Sequence, residues 1–130
     1  MIEFHLDSRS GVPAYLQLVQ QVRQAIRLGM LRPGDQLPTV KEVVTSLTIN
    51  PNTVLHAYRQ LDLENLVEGR QGVGTFVAAD AAPLPPDEVR LLRSSIDRWV
   101  TRARAAGLDE ESMSALFAES VRSGSVSRVA

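Results

Sequence analysis

Two helix starts stand close together in this chain, and only a short element fits between them. Thr39-Val40-Lys41-Glu42 has the Ser/Thr-x-x-Glu form of a capping box, in which two orphan amides are satisfied reciprocally. Asn50-Pro51 is the second start. Asn caps helices well, and Pro suits the first helical position because its missing N–H would be unpaired there anyway. The helix opened at Thr39 is therefore short, with Val40, Val43, Val44 and Leu47 as its apolar face. The helix opened at Asn50 buries Val54, Ala57, Tyr58 and Leu61, turns Asn52, Thr53, His56, Arg59 and Gln60 outward, and ends at Asn65.

The flanks complete the pattern. Tyr15, Leu18, Val19, Val22 and Ile26 recur at three and four, which predicts a helix over about 12–28 with Gly29 as its stop. Leu31-Arg32-Pro33-Gly34-Asp35 reads as a turn. After Asn65 the period changes. Leu66–Gly69 and Thr75–Val77 read as short strands joined through Arg70-Gln71-Gly72-Val73-Gly74, a glycine-rich hairpin. A further short strand over Ile2–Leu6 is expected. Three helices, the third polar on its outward face, followed by a hairpin, have the layout of a winged helix-turn-helix.

An Ala/Pro stretch follows, and Pro fixes φ and removes donors, so residues 79–86 read as an extended linker. Beyond it Val89, Leu92, Ile96, Trp99, Val100 and Ala103 lie at helical spacing up to Gly107. Asp109 caps a second helix with Met113, Leu116, Phe117 and Val121 on one side, and Ser123–Ala130 is expected to fray. The fold class is α+β, mostly α: a winged helix-turn-helix domain over 1–78, a linker over 79–86 and a two-helix dimerisation segment over 87–130. Two such helices enclose little volume, and a monomer would leave their stripes wet. Pairing with a second copy would bury Leu92, Ile96, Trp99, Val100, Leu116 and Phe117. The competing expectation is a tail folded back on its own domain.

Charge does not announce a nucleic-acid binder. The 130 residues carry 14 Lys and Arg against 15 Asp and Glu. Residues 1–78 are balanced too, with Arg9, Arg23, Arg27, Arg32, Lys41, Arg59 and Arg70 against as many acids. The argument for DNA rests on placement. Asn52, Thr53 and His56 are short hydrogen-bonding side chains in the first turns of the third helix, suited to base edges or phosphates. Arg59 lies further along, toward the backbone of a duplex, and Lys41 could meet a phosphate from the second helix. Arg70 and Gln71 sit at the wing tip, where Gly72 lets the backbone approach closely. Each feature has a plainer meaning by itself: a polar face is usually just solvated, Asn-Pro is a cap, and a Gly-rich hairpin is a turn. The ordered conjunction carries the weight.

From Pro13 to Val77 the chain resembles the DNA-binding domain of the GntR family of bacterial transcription regulators. The resemblance lies in Pro13-x-Tyr15-x-Gln17, Gly29-x-Leu31-x-Pro33-Gly34-Asp35-x-Leu37-Pro38-Thr39 and Lys41-Glu42. It continues in Asn50-Pro51-Asn52-Thr53-Val54, Ala57-Tyr58-x-x-Leu61, Glu64 and Gly72-x-Gly74-Thr75-Phe76-Val77. The Asn-Pro-Asn-Thr-Val run and the short tail are similar to the YtrA subfamily, whose tails dimerise. The resemblance implies DNA contacts from Lys41, Asn50, Asn52, Thr53, Gln71 and Gly72. It also implies a repressor. A homodimer would set two recognition helices about one turn apart, as a palindromic operator requires, and a small-molecule effector could bind between its tail helices. Three positions depart from the family's usage. Lys41 replaces the usual Arg, a point charge in place of a fork. His56 stands where Arg or Lys is common, which makes that contact weaker or pH-dependent. Asn65 replaces a Gly but tolerates the left-handed conformation.

Other classes fit poorly. The chain has no Gly-x-Ser-x-Gly elbow, and Gly69-x-x-Gly72-x-Gly74 lacks the Lys-Ser/Thr and the helix of a phosphate loop. With no Cys and two His there is no thiolate or His-rich metal site, and no cofactor is expected. The acidic N-terminus and the lack of a long apolar run predict neither a signal peptide nor a membrane span, hence a cytoplasmic protein. The rival reading is a winged helix that binds protein instead of DNA.

Overall fold

The computed structural model describes residues 2–81 and 83–127. Ala82, expected in the linker, and residues 128–130, expected in the frayed end, lie outside the described residues. In chain order the elements are α1 (Ala14–Arg27), α2 (Val40–Leu47), α3 (Pro51–Leu63), β1 (Val67–Arg70), β2 (Gly74–Val77), α4 (Pro86–Ala105) and α5 (Glu110–Ser127). The chain divides into two compact units, Met1–Val89 and Arg90–Ala130.

Local chemistry sets the helix boundaries. Thr39 and Glu42 form the capping box that starts α2, each side chain meeting the other's backbone N–H at 3.1 Å. Asn50 starts α3 by accepting the Asn52 N–H at 2.8 Å, with Pro51 in the first helical turn. α1 and α3 end alike. Gly29 and Asn65 take left-handed φ values of 76° and 61°. The N–H of the next residue returns to a carbonyl five back, Met30 to Ala25 and Leu66 to Leu61. The turn between α2 and α3 runs through Thr48, whose φ of 54° is uncommon for a β-branched residue.

The core of the first unit lies between α1 and α3. Leu18, Val19 and Val22 meet the layer of Val54, Ala57 and Leu61, with Leu37, Val43, Val67 and Val77 closing the sides. Each such Leu or Val contributes about 1.5–3 kcal/mol by leaving water. β1 and β2 pair antiparallel from Val67–Val77 to Arg70–Gly74. A two-stranded hairpin is marginal alone. Here a third backbone braces it: the Leu37 N–H bonds to Thr75 O, Val77 N–H to Asp35 O and Gly34 N–H to Val77 O. Pro33-Gly34 is the turn its sequence predicts, but the pairing of the flanking backbone with β2 leaves no local signal, because its partners lie far along the chain.

Two local expectations change, those for Ile2–Leu6 and for the end of α5. Ile2–Leu6 forms no strand. Instead the Gln21 side chain bonds both the N–H and the C=O of His5, at 3.0 and 2.6 Å, in place of a neighbouring strand. Phe4 drops into the core from this segment. The Ala/Pro stretch is held to the first unit at Ala78 and Ala81, which are buried, and at Leu84, whose N–H bonds to Arg27 O. α5 continues through Ser123 to Ser127, where fraying was expected.

In the second unit Gly107, at φ 97°, ends α4, with the Leu108 N–H bonded back to Ala103 O. Asp109 starts α5 by accepting the Ser112 N–H at 2.7 Å, a bond that holds its carboxyl below the usual carboxylate range. Trp99 and Phe117 face each other at 6.4 Å between ring centres, tilted by 57°.

Candidate nucleic-acid interface

The residues singled out by sequence fall into three places. Lys41 is exposed one residue into α2. Asn50, Asn52, Thr53 and His56 belong to the start of α3, with Thr53 half-buried and the others exposed, and Arg59 is exposed one turn further on. Arg70 closes β1, and Gln71 and Gly72 form the exposed turn. Gly72 has φ 75°, a conformation that suits glycine.

Neighbours limit what several of these side chains can do. The Asn50 carboxamide oxygen is committed to the cap. The His56 ring stacks on Tyr15 of α1, with centres 3.9 Å apart and planes 15° from parallel. Tyr15 thus fixes the His56 ring plane rather than lying fully in the core. The Arg70 guanidinium sits 4.2 Å from the centre of the Phe76 ring and pairs with Glu68 at 3.3 Å. Such a stacked cation keeps its charge but loses freedom.

The frame behind these side chains is braced at two points. The buried Tyr58 hydroxyl of α3 donates to Pro38 O at 2.6 Å, tying α3 to the segment that leads into α2. Burial, helped by the Glu42 carboxylate, pushes the Tyr58 hydroxyl far above its usual range, so it stays a donor. The wing is joined to that same segment by Gln36, whose Nε2 donates to Val73 O at 3.3 Å. Sequence reasoning singled out neither Gln36 nor Leu55, an exposed apolar residue of α3. The α3 pattern carried the one signal available, since Leu55 falls outside the buried spacing of Val54, Ala57, Tyr58 and Leu61.

Three helices with a capped, polar third member and a braced hairpin form a winged helix-turn-helix. Known proteins share it. The sequence profile described as "Bacterial regulatory proteins, gntR family" matches residues 14–77. The HTH-type transcriptional repressor YtrA of Bacillus subtilis (strain 168) is 33% identical over 109 residues, covering 83% of this chain and 84% of the repressor. The chain belongs to the GntR family of bacterial transcription regulators. Among solved structures, YtrA from Sulfolobus acidocaldarius, a GntR-family transcription factor, matches with a TM-score of 0.55 and 30% identity. That likeness covers 75% of this chain and 97% of the other. The DNA-binding domain of AraR in complex with operator ORX1 matches with a TM-score of 0.52 and 26% identity, over 59% of this chain and 96% of that one. This GntR protein is accordingly a DNA-binding transcription regulator and not an enzyme. No helix among the described residues is long and apolar enough to cross a membrane.

Proposed function

We propose that this GntR regulator is a cytoplasmic repressor that binds a palindromic operator as a homodimer. Residues 1–78 read DNA, residues 79–86 link, and residues 87–130 pair two chains. The observation that carries the reading is the start of α3. The Asn50 cap leaves Asn52 exposed and Thr53 half-exposed in a first helical turn, where side chains reach base edges in the major groove. Lys41, His56 and Arg59 add contacts along α2 and α3, and Arg70, Gln71 and Gly72 add them from the wing. A YtrA relative named as a repressor supports the sign of regulation. The exposed apolar residues of α4 and α5 support pairing, since such stripes are normally covered. A small-molecule effector bound between paired tails would modulate affinity.

Selection from random duplexes with the purified protein tests this directly. The expected product is an inverted repeat with half-site centres about one helical turn apart. Asn52→Ala or Thr53→Ala should then weaken binding to that site by roughly 1–3 kcal/mol if a base contact is lost. Affinity should fall steeply with salt through counterion release. Recovery of no enriched sequence, with binding flat in salt, would refute the reading and favour a winged helix that docks on protein.

A further inference from the structure

The polar outer face of α3 has two apolar members, Leu63 at its C-terminal end and Leu55 in its N-terminal half, the latter among the residues that would face a groove. Leu55 is 40% exposed, while Val54, Ala57 and Tyr58 around it are buried. It follows Asn52 by one helical turn and precedes Arg59 by another, so the three share one side of α3. Asn52 and Arg59 are exposed as well. Within the same two turns, Asn50 is engaged in the cap and His56 is stacked on Tyr15. An unengaged polar side chain and a leucine therefore stand next to each other on the outward side.

The floor of the major groove offers hydrogen-bonding groups at every base pair and one kind of apolar group, the C5-methyl of thymine. A leucine laid over adenine N6, cytosine N4 or guanine O6 would strip a polar group of water and return no hydrogen bond. Over a thymine methyl both partners lose water favourably. We propose that Leu55 is a specificity-determining residue that reads a thymine in each operator half-site through that methyl group. Asn52, one turn earlier, is suited to adenine N6 and N7, so the pair selects a step that carries both bases. This inference rests on the reading of α3 as the major-groove element.

Deoxyuridine substitution is the test, because replacing thymine by uracil removes the methyl and leaves every hydrogen-bonding group in place. In the duplex recovered by selection, each half-site thymine is replaced in turn. One position should weaken binding of the unaltered protein about fivefold, on the order of one methyl group left in water. Leu55→Ala should bind the thymine and uracil duplexes equally, both near the weaker level. Leu55→Met should keep the preference, since its volume is nearly the same. Thermal melts of each variant without DNA accompany the binding data. Three outcomes would overturn the inference: half-sites without thymine, a uracil effect that survives in Leu55→Ala, or a Leu55→Ala loss equal on all duplexes. Failure to bind any duplex would instead remove the operator reading itself, and this inference with it.

Discussion

The side-chain amide of Gln36 occupies the space that a β-carbon on Gly74 would need. A Cβ built there would lie 2.6 Å from Gln36 Nε2, and the Gly74 φ of 144° is itself unfavourable for any other residue. The first residue of β2 is thus shaped to admit the brace that ties the wing to the segment entering α2. Gly74→Ala should expel the Gln36 side chain and strain the backbone, a loss of about 1–3 kcal/mol. Denaturant unfolding measures the loss. Hydrogen exchange should show the same loss at the most protected α1 amides, which open only with global unfolding, and at least as large a loss at Val73–Phe76. Unchanged protection at both places would show that Gly74 and the Gln36 brace contribute nothing to stability.

Thr48 and the two helices it joins make a second prediction. A β-branched side chain at φ 54° and ψ 53° is held there because α2 must stop and turn within a few residues of the Asn50 cap. The left-handed conformation costs an L-residue roughly 1–2 kcal/mol, and glycine avoids most of that while losing more chain entropy. Thr48→Gly should therefore stabilise the protein by about 0.5–1 kcal/mol, seen as a higher denaturant midpoint with an unchanged slope. Destabilisation would show that the Thr48 side chain makes a compensating contact.

These two sites also mark the limit of what could be read from sequence. Caps are chemistry within a few residues, so the starts at Thr39, Asn50 and Asp109 and the ends at Gly29, Asn65 and Gly107 were legible as letters. The buried stripe of α3 was legible because helical spacing forces it. The pairing of Gly34–Leu37 with β2 was not, since a backbone hydrogen bond between distant segments leaves no local mark. The same holds for the stack of Tyr15 on His56, which joins residues far apart in the chain. Ile2–Leu6 reads as a strand, but the partner of its His5 backbone is the Gln21 side chain. For the interface, residue types and their elements are legible in the sequence, whereas the engagement of Asn50, His56 and Arg70 by neighbours arises only in the folded chain.

Arg23 and Glu64 tie α1 to the end of α3, with both carboxylate oxygens within 2.9 Å of the same guanidinium nitrogen. The Gln60 amide also donates to Glu64, at 2.9 Å. That bond first, and then Arg23, lower the Glu64 pKa in the folded protein. A carboxyl lowered on folding stabilises the native state in full above its unfolded value, near 4.5. The contribution is lost as pH falls from there through the lower folded value. Because the pair is partly exposed, Glu64→Gln should destabilise by only about 0.2–1 kcal/mol at neutral pH. The gap between the two proteins should narrow below about pH 4 as the carboxyl is protonated. Chemical denaturation of both proteins across that range checks the sign. A gap that widened in acid would contradict the assignment.

The tail yields the last prediction. Leu92 is 64% exposed and Phe117 49%, and Ile96 and Leu116 are exposed with them, while Trp99 and Val100 are half-buried. If these residues form the seam between two chains, charge placed there must be desolvated on pairing, which is far more costly than exposing it. Ile96→Glu combined with Phe117→Glu should leave each chain folded but shift the protein to a monomer by sedimentation. Operator affinity should fall as well, because each chain would then engage its half-site without the other. The same duplex cut to one half-site separates the two effects: it should bind the altered and unaltered proteins alike. A double variant that remains dimeric would place the seam elsewhere, and a variant monomer with undiminished operator affinity would show that the second chain adds nothing to recognition.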